Sequence, residues 1–116
     1  MKFSESLKKS ADFQKVYREG RSCANRYLVL YVLENHTDRN RLGISVSKKV
    51  GNSVVRHTFC RKMREIFRLN DYRTVQGKDI IVVARSMAGR ATYEKLEKNY
   101  LRLLQDHNIS QESNQL

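Results

Sequence analysis

The chain has 116 residues, the length of one domain, and 40% of them are hydrophobic, enough to bury a modest core rather than remain a disordered polyelectrolyte. Lys and Arg number 23 against 12 Asp and Glu, a net charge of +11 whose self-repulsion a polyanion such as nucleic acid would relieve. A membrane partner is not expected: no run approaches spanning length, MKFSESLKKS carries neither a signal-like apolar run nor a lipidation motif, and a cytoplasmic protein is the expectation.

In chain order, ADFQKVYRE at 11–19 predicts a short helix, with Ser10 as its cap, Asp12 at the positive end of the dipole and Gly20 at a left-handed exit. Phe13, Val16 and Tyr17 then share a face. YLVLYVLE at 27–34 and RLGISVSK at 41–48 alternate as strands do, and the polar run NHTDRN between them predicts an antiparallel hairpin. A helix should run from Asn52 or Ser53 to Arg68, a window without Pro or internal Gly. DIIVVAR at 79–85, after the turn-forming Gln76 and Gly77, reads as a buried strand. Thr92 caps a last helix with the apolar stripe Tyr93, Leu96, Tyr100, Leu103 and Leu104, and the tail from about residue 109 should fray. This order predicts a single α+β domain over 1–116, a small mixed sheet with helices packed on it.

The segment SKKVGNSVVRHTFCRKMREIFR, 47–68, is the most informative. At about 100° per residue, Val55, Phe59, Met63, Ile66 and Phe67 gather on one side of the helix. His57, Arg61, Arg64 and Arg68 form a line on the other side, and Arg56 flanks it. That line spans roughly 16 Å, enough to follow several phosphates. An ordinary solvated face is the competing account, but Glu65 is the only acid in this helix, so the stripe has few internal partners. Lys48 and Lys49 precede Gly51 and Asn52, where a tight strand-to-helix connection would point backbone amides at an anion. Cys23 and Cys60, like His36, His57 and His107, have no ligand-like spacing, so neither a zinc site nor a disulfide is expected. Composition admits a ribosomal or other structural RNA-binding protein. It also admits a metal-dependent nuclease, although no convergent acids are seen.

The run Ser47, Lys48, Lys49, Val50, Gly51, Asn52, Ser53, Val54, Val55, Arg56, leading into the basic helix, resembles the hallmark segment of the bacterial ribonuclease P protein family. SADFQKVYREG at 10–20, ANRYLVLYVL at 24–33 and DIIVVAR followed by a terminal helix extend the resemblance, in the family's order, over about 100 residues. The resemblance implies a four-stranded mixed sheet with three helices and an unusual left-handed βαβ crossover through the basic helix; general rules of chain topology favour a right-handed one. It implies a subunit of an endoribonuclease that trims the 5′ leader from precursor tRNA, one protein per catalytic RNA, with Mg²⁺ held by the RNA subunit and substrate and none bound tightly by the protein. RNA docking then falls to Lys48, Lys49, Asn52, Arg56, His57, Arg61, Arg64 and Arg68. A cleft for the single-stranded leader falls to Phe13, Tyr17, Tyr31 and Ser47, where aromatic faces offer bases a stacking platform. Core packing is the rival account of these aromatics. The common family pattern reads Arg-Asn-Arg with a Lys two positions later, whereas here His57 and Thr58 follow Arg56 and Cys60 takes the Lys position. More of the load therefore passes to Arg61, Arg64 and Arg68.

Overall fold

The computed structural model describes residues 4–111. In chain order these form β1 (Ser4–Ser6), α1 (Ser10–Glu19), β2 (Arg21–Ala24), β3 (Leu28–Glu34), β4 (Asn40–Ser45), α2 (Ser53–Asn70), β5 (Lys78–Ala84) and α3 (Tyr93–Asp106), with short 3-10 turns at Asp71–Arg73 and Ser86–Arg90. The strands make one mixed sheet in the order β1-β4-β5-β3-β2. Strands β2 to β5 are the four-stranded mixed sheet expected, and the three-residue β1 extends its edge beside β4.

Strand alternation divides the sheet into two faces. Leu28, Leu30, Leu42, Ile80 and Val82 point to one face, where they pack with Phe59, Met63, Ile66 and Phe67 of α2 and with Leu96, Tyr100, Leu103 and Leu104 of α3. On the other face Ile81 packs with Val16 and Leu7, flanked by Phe13, Tyr31, Leu33 and Val83 under α1. Central β5 is covered on both sides, which is why Ile80, Ile81 and Val82 in succession are apolar and buried.

The predicted hairpin between 27–34 and 41–48 is not formed. Strand β5 lies between β3 and β4, antiparallel to the first and parallel to the second, and β3 makes its hairpin with β2 instead. The polar loop after β3 crosses the start of β5 so closely that a Cβ on Gly77 would sit 2.8 Å from the Thr37 carbonyl oxygen. Gly77 also has φ +87°, so both the turn and the crossing demand glycine. Buried Asn40 fastens the returning strand: its Nδ2 donates to Asp71 Oδ1 at 2.9 Å and its Oδ1 accepts from the Lys78 amide at 2.8 Å.

Three local expectations also change. Ser10 is the first helical residue of α1; Lys9 occupies the cap position without a side-chain cap. Gly20 leaves α1 in an extended conformation, φ −80°, and its lack of a side chain serves close packing, since a Cβ would meet the Val16 and Val32 carbonyl oxygens at 2.6 and 2.8 Å. Order persists past residue 109: Ile109 is buried, Ser110 bridges to Thr74, and the Gln111 amide donates to the Arg73 carbonyl at 2.7 Å. The rest of the predicted fraying tail, 112–116, lies outside the described residues.

His107, just after α3, is buried and its Nε2 lies 2.7 Å from the Leu30 carbonyl oxygen, so this nitrogen carries the proton. Burial, chiefly, and nearby Arg21 hold the imidazole below its ordinary value, against the opposing pull of the Leu30 carbonyl and Asp106. Below about pH 6.5 the unfolded chain binds this proton before the folded chain does, so stability should be lost as pH falls from there towards the lowered folded value. Urea midpoints of the chain and of His107→Gln, compared between neutral and mildly acidic pH, check this; the steeper acid loss is expected in the unchanged chain, and equal losses would refute it.

Candidate nucleic-acid interface

Helix α2 opens at Asn52, whose side chain accepts a hydrogen bond from the Val55 amide at 3.0 Å. The Gly51 carbonyl just before it accepts from Arg56 Nε at 3.2 Å, so Arg56 lies against the loop, half-buried, beside the basic line rather than on it. Phe59, Met63, Ile66 and Phe67 are buried under the helix. On its outer side His57, Arg61, Arg64 and Arg68 are all exposed, in the line that helical phasing predicts. Glu65 interrupts the positive field locally through a 3.0 Å pair with Arg68.

Lys48 and Lys49 are exposed in the turn between β4 and α2. Ser47 builds that turn: its carbonyl accepts from the Val50 amide at 3.1 Å and its hydroxyl accepts from the Lys49 amide at 3.3 Å. It therefore sits with the lysines, two residues beyond the end of β4.

The three aromatics come together on the opposite side of the sheet. Phe13 and Tyr17 have ring centroids 6.4 Å apart, and Tyr17 meets Tyr31 edge-on at 4.9 Å. The Phe13 ring rests on Gly43, where a Cβ would stand 2.7 Å from its Cζ. Tyr17 remains 38% exposed, while Phe13 and Tyr31 are half-buried, so the cluster is an apolar surface still open to solvent. Arg41 links α1 to the sheet beneath: it reaches Asp12 in the first turn of α1 at 3.8 Å and grips buried Asp79 of β5 through two hydrogen bonds of 2.7 and 2.6 Å.

Strand register adds residues that the sequence reading missed. Tyr31, Ile81 and Gly43 are neighbours in one row across β3, β5 and β4, and Val29, Val83 and Ser45 form the next row on the same face. Their alternation with Tyr31 was present in the sequence, but the order of the strands was not. Lys62, and Tyr93 from the apolar stripe of α3, line an open groove of about 500 Å³ with Arg61, Arg64, Glu65 and Arg68, a meeting of two helices that spacing within either one does not show. No group of three or more His, Cys, Asp or Glu side chains suited to a metal ion occurs among the described residues, and no helix among them is long and apolar enough to cross a membrane.

The family model described as Ribonuclease P matches residues 1–108. The ribonuclease P protein component of Lachnoclostridium phytofermentans is 51% identical over 106 residues, 91% of each chain. That of Clostridioides difficile is 44% identical over 108 residues, 92% of this chain and 95% of the other. Among solved structures, the ribonuclease P protein of Staphylococcus aureus superposes with a TM-score of 0.84 at 40% identity, covering 90% of this chain and 96% of that one. The Thermotoga maritima protein gives 0.81 at 33% identity, covering 87% and 96%. A match along almost the entire chain, with the same fold in relatives of this identity, means that the chain belongs to the ribonuclease P protein family.

Proposed function

We propose that the exposed face of α2, with the Lys48–Asn52 turn, docks on the ribonuclease P RNA, and that the aromatic surface between α1 and the sheet holds the single-stranded 5′ leader of precursor tRNA. As a ribonuclease P protein the chain is a subunit of an endoribonuclease of tRNA 5′ maturation and a partner of its RNA. The observation that carries the docking reading is the line His57, Arg61, Arg64 and Arg68, solvent-facing on a helix whose other side is buried in the core. Exposed cations at that spacing displace counterions from a phosphate backbone without disturbing the fold. For the leader, edge-packed half-wet aromatics bind bases by their faces and so tolerate many sequences.

In this reading the bond-breaking chemistry belongs to the RNA. Two-metal phosphodiester hydrolysis needs several oxygen ligands converging on the ions, and this reading rests on the absence of any group of three or more His, Cys, Asp or Glu side chains suited to a metal among the described residues. Mg²⁺ is accordingly assigned to the RNA subunit and the substrate, with one protein per RNA, in the cytoplasm. The protein contributes affinity for the leader and charge neutralisation where RNA strands approach one another.

A cleavage assay on precursor tRNA with protein alone, ribonuclease P RNA alone and both together tests this. Only the mixture should cleave efficiently at low Mg²⁺. Cleavage by the protein alone, or no stimulation by it, would overturn the proposal.

A further inference from the structure

The groove beside the basic line contains features that docking along a phosphate backbone does not use. Two polar ties join α2 to the chain around α3: Lys62 Nζ donates to the carbonyl of Ala91, two residues before α3, at 3.4 Å, and Asn70 Nδ2 donates to Glu97 Oε2 at 2.9 Å. Between them Tyr93, the first residue of α3, packs partly against the main core and remains half-exposed to the groove. The exposed Arg61, Arg64 and Arg68 form its rim, and Glu65 also lines it. A volume of about 500 Å³ is generous for a side-chain crevice and lies within the range of small-ligand sites.

Two details favour a nucleobase over a simple phosphate. A carboxylate inside a phosphate track repels what the track binds, yet Glu65, the one acid of α2, lies in this groove. Exocyclic amino groups of bases are donors that a carboxylate accepts, and the 3.0 Å pair with Arg68 engages Oε1 of Glu65, leaving Oε2 to accept. An aromatic ring beneath a cationic rim also suits a nucleotide, whose base is flat and apolar on its faces and whose flanking phosphates are anionic. Partial burial, and then the neighbouring Glu97 and Glu65, hold the Tyr93 hydroxyl above its ordinary value.

We propose that this groove receives one unpaired, unstacked base of the partner RNA, its face against Tyr93 and its flanking phosphates on Arg61 and Arg64. The proposal rests on the reading that α2 docks on ribonuclease P RNA. Stacking is a contact of the ring face and does not depend on released counterions, so it leaves a signature distinct from that of the arginines.

The test titrates ribonuclease P RNA with the unchanged chain, Tyr93→Phe and Tyr93→Leu over a range of salt concentrations, with thermal melts confirming that each is folded. Leu preserves apolar bulk against the core but lacks a ring face. Tyr93→Leu should bind on the order of tenfold more weakly with the salt slope unchanged, and Tyr93→Phe within about twofold of the parent. Full affinity in Tyr93→Leu, equal losses in both variants, or a loss that comes with a shallower salt slope would each overturn the stacked base. Ultraviolet irradiation of the unchanged complex provides a readout without substitution: RNA should become attached at Tyr93, and attachment confined to other peptides overturns the proposal. No binding by the unchanged chain would defeat the docking reading itself, an outcome separate from failure of the Tyr93 variants alone.

Discussion

A chain in which Arg61, Arg64 and Arg68 are all replaced by Ala should bind ribonuclease P RNA on the order of a hundredfold more weakly at low salt, with a salt dependence shallower by about two to three units, roughly 0.9 for each phosphate no longer neutralised. The three side chains are exposed, and Ala is the best helix former, so α2 should remain folded. The substitutions also break the exposed Arg68–Glu65 pair, whose contribution to stability is on the order of a few tenths of a kcal/mol. A large functional loss with a nearly unchanged melting temperature is therefore the expected signature. Titrations at several salt concentrations measure it, and an unaltered slope would mean that the line does not touch phosphate.

The second large effect concerns Phe13 and Tyr31. With both changed to Ala, affinity for precursor tRNA should fall by about tenfold or more per stacked base, while affinity for mature tRNA, which has no leader, should hold. Both residues also contribute to the small core under α1, so part of the cost will be stability; a buried Phe→Ala change costs about 3–5 kcal/mol, less where the ring is half-exposed as here. The comparison between substrates removes this term because the same protein is used in both arms. Equal losses for the two tRNAs would reassign the aromatics to packing. Tyr31→Leu, which keeps apolar bulk over Ile81 without a ring face, should show the same selectivity with a smaller stability cost.

The two surfaces lie on opposite faces of one sheet, since α2 packs over the Leu28, Leu30, Leu42 face and α1 over the Ile81 face. They are joined along the chain through β4. That strand contributes Gly43 beneath Phe13 and Ser45 in the adjoining row, then continues through the Ser47–Lys49 turn into α2. A leader on the aromatic face and an RNA subunit on the basic face would thus be held by consecutive parts of the same chain segment.

Much of this was legible from local pattern. The buried and exposed sides of α2 follow from spacing alone, because an 18-residue helix without Pro or Gly presents its residues at fixed angles whatever it packs against. Thr92 caps α3 as predicted, its hydroxyl accepting from the Lys95 amide at 3.2 Å, because capping chemistry is confined to a few neighbouring residues. The strands at 28–34, 40–45 and 78–84 were visible in their alternation or their continuous apolar run. The short β2, RSCA, was not, having only a weak alternation and no turn signal of its own.

By itself, then, the sequence determined a basic α+β domain, its principal helices, and the cationic line on one of them, all properties of residues close together in the chain. Only the tertiary structure decided that β5 separates β3 from β4, that Phe13 lies on Gly43 beside Tyr31, and that Tyr93 closes a groove with Arg61, Arg64 and Arg68. Alternation states which side of a strand is apolar but not which strand lies next to it. That choice belongs to contacts between distant segments, such as Asn40 with Asp71 and Thr37 over Gly77, which form only once the chain has folded.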